Sequence, residues 1–132
     1  MHNPIIAILA AGLAGWLFGA IWYTTLGRPW QGALGLNPGD SRGEPMPKTP
    51  LVVAFLAALV MSAVLYQLLT NLGVTGVAPS AVTGLTIGVG FLLTSTLVNN
   101  LFQQKSFMLT VIDGGHWVLV VAVEAVVISL LA

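Results

Sequence analysis

Four apolar stretches, each long enough to cross a bilayer, take up most of this chain and leave it few ways to fold. They run from about Pro4 to Leu26, Leu51 to Leu72, Ala78 to Phe102, and Phe107 to Ala132. A membrane helix needs about 20 mainly apolar residues to span roughly 30 Å of hydrocarbon. Each stretch is expected to be helical, because a lipid-exposed strand would leave its backbone groups unpaired. A β-barrel does not fit: four segments are too few, and they are continuously apolar rather than alternating. The expected fold class is therefore all-α, a single membrane domain over residues 1–132 built as a bundle of four transmembrane helices.

Composition agrees. Of the 132 residues, 57% are hydrophobic and 6% are charged, against about 25% charged in an ordinary soluble domain. Four Lys and Arg balance four Asp and Glu. With no basic excess and no polar low-complexity tract, a soluble enzyme, a nucleic-acid binder and a disordered chain are all excluded as readings. The absence of cysteine removes disulfides, thiolate metal sites and Cys nucleophiles, and leaves the redox compartment unread. The first stretch lacks the basic start and small-x-small end of a cleaved signal peptide, and reads as a retained helix.

The connections differ. Residues 28–49 form the one long polar loop, with Pro29, Pro38, Pro45 and Pro47 among Gly32, Gly35, Gly39 and Gly43. That density of breakers forbids a long helix, leaving room for a short interfacial turn from Pro29 to Leu36. Gly73 to Val77 is a tight uncharged turn, and Gln103 to Ser106 is short and carries Lys105. All four cations (Arg28, Arg42, Lys48 and Lys105) fall on the first and third connections. The positive-inside rule then puts loop 28–49 in the cytoplasm and both termini outside it.

Helices associate in lipid by close packing and hydrogen bonds, and small residues four apart let backbones approach. Ala11, Gly15 and Gly19 make such a row in the first span; Ala54, Ala58 and Ser62 make one in the second. Gly84 and Gly88 make one in the third, and a straight helix would continue it through Ser95 and Asn99. The rows serve packing within one bundle, and one of them is free to face a second copy; a homo-oligomer or a membrane protein partner is expected on that ground. Trp22, Tyr23 and Trp30 read as anchors at the membrane interface. Trp16 lies mid-span, where its indole N–H needs an acceptor.

The unusual chemistry is in the fourth span: Asp113, Gly114, Gly115, His116 and Glu124. Ionisable groups at membrane depth cost about 2.5–3.5 kcal/mol each on insertion scales and are functional candidates by default. Asp113 and Glu124 are eleven apart, which puts them about 20° from one another on a helix, with His116 about 60° from Asp113. Asp113, near the end of its span, could meet Lys105, Asn99, Asn100 or water, a structural tie to the third connection. Glu124 has no cation in reach on its own helix. It reads either as a neutral acid hydrogen-bonded to another helix or as a proton or cation site. The Asp113-x-x-His116 spacing could supply two metal ligands, but with His2 placed on the opposite side and no second acid–His pair, no metal centre or cofactor is expected.

The segment Gly19-Ala20-Ile21-Trp22-Tyr23, followed by Gly27, Trp30 and Gly35, resembles the amino-terminal signature of the DUF1761 family of small bacterial membrane proteins. Asn100-Leu101-Phe102 with Ile112-Asp113-Gly114 resembles its carboxy-terminal signature. The resemblance implies a four-helix protein of this size in a bacterial plasma membrane, and no activity, the family being a domain of unknown function. Where the family signature has a Tyr after Asp-x-Gly, this chain has His116-Trp117, and Glu124 has no family counterpart. Three functional expectations follow. The first is an oligomeric proton- or cation-coupled transport or permeation protein using Glu124, Asp113 and His116. The second is an accessory membrane subunit packing through its glycine rows. The third is a membrane enzyme with Asp113 and His116 as an acid–base pair; polar residues to bind a substrate are scarce, so no catalytic residue is assigned.

Overall fold

A computed structural model describes residues 3–36 and 48–132. The expectations placed on His2, on Arg42 and on Pro38 through Pro47 lie outside them. The elements are α1 (Pro4–Thr25), α2 (Gly27–Ala33), α3 (Lys48–Asn71), α4 (Val77–Ile87), a π-helical turn at Gly88–Leu93, α5 (Thr94–Phe102) and α6 (Phe107–Leu131). The π turn runs without a break into α4 and α5, making one rod from Val77 to Phe102. Among the described residues, four helices are thus long and apolar enough to cross a membrane, the architecture of a multi-pass membrane protein.

Local chemistry sets the boundaries. Asn3 caps α1 by accepting from the Ile5 N–H at 2.9 Å, with Pro4 at the first helical position. The chain bends at Leu26, between α1 and α2. Pro29 explains the bend, since its ring would clash with the Thr25 carbonyl in a continuous helix. The interfacial turn therefore starts at Gly27, two residues earlier than expected. After α3, Gly73 adopts φ +68° and the Val74 N–H donates to Leu69 O at 2.9 Å, closing the helix end. Gln104 does the same after α5 at φ 58°, with Lys105 N–H donating to Asn100 O at 2.8 Å. Ser106 then caps α6 and also donates its hydroxyl to Ala33 O at 2.8 Å, fastening the third connection to α2.

Helix α6 is the central element: 44% of its apolar window is buried, against 28, 17 and 11% for the first three spans. It packs against α1 on one side and against the α4–α5 rod on the other, while α3 leans chiefly on α1. The small-residue rows do this work. A Cβ added to Gly84 would sit 2.9 Å from Val121 O and 3.0 Å from Ala122 Cα; at Gly88 it would sit 2.7 Å from Val118 Cα. On α3, Ala58 and Ser62 are buried and the Ser62 hydroxyl donates to Ile8 O at 2.8 Å. Gly15 and Gly19 of α1 face α6 as well, and Gly12 faces Leu59 of α3, so these glycines pack inside the chain.

The expected continuation through Ser95 and Asn99 is corrected. Both residues are exposed. The π turn carries five residues where an α turn would bring round four, so the contact row advances from Gly88 to Leu93, which fills the space beside Gly114. It continues to Asn100, whose side-chain amide donates to Thr110 Oγ1 at 3.0 Å. A straight-helix projection ends one residue out of phase beyond the π turn.

Outside these contacts the helices present Ile, Leu, Val and Phe outward, an arrangement stable against acyl chains and not against water. Because α3 and the α4–α5 rod barely touch, an apolar groove of about 230 Å³ opens between them, lined by Val64, Leu68, Phe91 and Leu92 and floored by Val121.

Candidate functional site

Asp113, His116 and Glu124 all meet α1. A helix returns to the same face every three or four residues, and on α6 the series His116, Val120, Glu124 stacks one turn above another. Opposite them, α1 offers Gly19 and Gly15. A Cβ at Gly19 would lie 2.7 Å from His116 Nε2, and one at Gly15 would lie 3.0 Å from Glu124 Cγ and 3.1 Å from Val120 Cγ1. The two glycines are thus the recess that seats an imidazole and a carboxyl between two helices. Any larger residue there would displace them.

One turn beyond Gly19, Tyr23 donates its hydroxyl to Asp113 Oδ1 at 2.6 Å. Trp30, from α2, meets the Tyr23 ring edge to face with centroids 5.8 Å apart. Tyr23 also stacks on His116 with ring centroids 4.9 Å apart, and His116 meets Trp117 at 4.6 Å. Trp22 donates its indole N–H to Ile112 O at 3.1 Å, and Trp16 donates to Leu51 O on α3 at 3.2 Å. Asp113 is therefore tied to α1, where the sequence pointed to Lys105, Asn99 and Asn100. Trp22, Tyr23 and Trp30 are half-buried and join helices, the first two through hydrogen bonds and Trp30 through its ring contact with Tyr23, which adds to the anchoring role read from their position.

Glu124 is the outlier. It is 0% exposed, and neither carboxyl oxygen has a hydrogen-bond partner. His116 is buried too, and its Nδ1 is likewise unpaired. The hydrogen bond to another helix that would make Glu124 a plain structural acid is not formed. Leaving a buried polar group unsatisfied costs about 1–3 kcal/mol, and more if it is charged. Among the described residues no group of three acids, His or Cys gathers that could hold a metal ion.

The structure thus defines an all-helical, multi-pass membrane protein with a polar seam between its first and last spans. The sequence model of DUF1761, described as a protein of unknown function, matches residues 6–129, and the chain belongs to that family. No curated protein and no solved structure matches it.

Proposed function

We propose that this protein is a small proton-coupled permeation or transport protein of the bacterial plasma membrane, with Glu124 as the group that takes up and releases the proton. The observation that carries the reading is the Glu124 carboxyl itself: fully buried, without a partner, and seated in the recess that Gly15 leaves open. A purely structural core would place an apolar side chain there at lower cost. Holding a lone acid in lipid is the arrangement of a proton site in its closed state. His116 and the Tyr23–Asp113 pair extend the polar seam toward α2 and supply groups that can exchange protons with water at that end.

The deciding experiment is infrared difference spectroscopy of the protein in lipid, with Glu124→Gln as the reference. The reading expects a Glu124 carboxyl band that changes with pH and shifts on transfer to heavy water. A band that stays fixed through both treatments overturns it. In vesicles holding a trapped pH dye, a gradient of Na+ or tetraphenylphosphonium should drive proton movement that Glu124→Gln abolishes.

A further inference from the structure

The surroundings of Glu124 differ sharply along the seam. Toward α2, a single residue separates it from the next polar group: Val120, which with Glu124 meets the same point above Gly15. One turn past Val120 lies His116, against Gly19 and in ring contact with Tyr23, which holds Asp113. In the other direction the buried neighbours are mostly aliphatic, with Ala11, Ala125 and Ile128 packed on Leu65 and Leu69 and with Tyr66 of α3 at the margin; the buried hydroxyls on that side are Ser62, spent on Ile8 O and Leu59 O, and Ser80 of α4. The distance from His116 to Glu124 along α6 is about 12 Å, too far for direct transfer and short enough for two or three waters.

We propose that Val120 is the gate of a one-sided proton route, through which Glu124 communicates with the Asp113–Tyr23–His116 end of the bundle and not with the opposite end. The inference rests on the reading of Glu124 as a proton site and specifies the path to it. With Val120 in place the seam is dry and Glu124 is isolated. When its isopropyl group swings out of the gap, water linking His116 to Glu124 fills the space beside Gly15. A hydronium in that water gives its proton to the Glu124 carboxylate, leaving water, and the reverse step returns it; only O–H bonds form and break. The titratable groups in or beside the route are Asp113 and His116 on α6 and Tyr23 on α1. Tyr66 on α3 stands at the margin of the opposite, closed side.

Hydrogen–deuterium exchange of the Glu124 carboxyl, followed by time-resolved infrared spectroscopy in lipid, tests the route. Val120→Ala removes the plug and should raise the exchange rate about tenfold. Val120→Thr keeps the shape, adds a hydroxyl that holds water, and should raise it as well, which guards against a fold-weakening effect of the alanine. Ile128→Ala and Tyr66→Phe, on the far side, should leave the rate within about twofold, the ordinary scatter of substitutions outside a path. Exchange that speeds up with Ile128→Ala and ignores both Val120 variants overturns the route while leaving Glu124 a proton site. A Glu124 carboxyl that exchanges in none of the proteins removes the proton site itself, and the route with it.

Discussion

The Tyr23 hydroxyl and the Asp113 carboxyl, ninety residues apart in the chain, meet at 2.6 Å and pin the first span to the last. The geometry is that of a charge-assisted hydrogen bond. Trp30 of α2 packs edge to face on the same tyrosine at 5.8 Å, so Tyr23 stands between α6 and the fold-back of α2.

Losing that bond should be costly. Tyr23→Phe is expected to lower stability by about 1.5–3 kcal/mol, the range for hydrogen bonds to charged groups. Asp113→Asn, which keeps an acceptor, should cost less. A double-mutant cycle from unfolding in mixed micelles measures the coupling; a coupling near zero would mean the contact contributes nothing.

The glycines divide into two classes that substitution by alanine should separate. Gly88→Ala pushes a methyl to 2.7 Å from backbone, and Gly15→Ala pushes one against Glu124 and Val120. Each should destabilise by about 1–3 kcal/mol through overpacking. Gly32 and Gly90 have nothing within 4 Å, and alanine at either should be neutral or stabilising by up to about 1 kcal/mol through helix propensity. Thermal melts of the four variants check the ranking.

Stability and function should pull apart at Glu124. Glu124→Met keeps the volume and removes two unsatisfied oxygens, so the melting temperature is expected to rise, by the equivalent of about 1–3 kcal/mol. The same variant should be inert in the vesicle assay. A fall in melting temperature would show that the carboxyl has a stabilising partner.

The π turn gives a prediction about chain length. Removing Gly90, which contacts nothing, should convert Gly88–Leu93 to ordinary α-helix and bring the contact row round in four residues instead of five. Deleting Val82 instead rotates Ser80, a buried residue of α4, by about 100° relative to Gly84. The Gly90 deletion is expected to purify as a monodisperse species and the Val82 deletion to aggregate, read by size-exclusion chromatography.

How much of this was legible in advance depends on the physics involved. Hydropathy placed the four spans to within a few residues because a bilayer imposes a length. Lys48 is the largest shift: α3 begins there, three residues before the apolar run, since Pro50 falls within its first turn, where a proline is tolerated. The inward role of Gly15, Gly19, Gly84 and Gly88 follows from their four-residue spacing. Ser95 and Asn99 fall off the contact row because the π turn, with Gly88 and Gly90 as its only unusual residues, has no signature in the sequence. Tyr23 and Trp30 read as anchors because their position near a span end is the same for an anchor as for a helix tie. Only the partner, Asp113, tells the two apart, and it comes from the far end of the chain. Gly12, which admits Leu59 of α3, lies one residue off the row that was followed. The seating of Glu124 opposite Gly15 needed the rotation of α6, which no single-helix pattern supplies.

The central place of α6 has a bearing on how the protein is made. Both flanking surfaces, the glycine row of α1 and that of α4, are complementary to α6 and hardly to each other. Of these four spans, α6 is made after the two whose glycine rows are shaped to it. Until it arrives, Gly15, Gly19, Gly84 and Gly88 face lipid across open clefts, and Tyr23 has no carboxylate to hold. Assembly in the membrane is thus a closing step performed by the span that carries Asp113, His116 and Glu124.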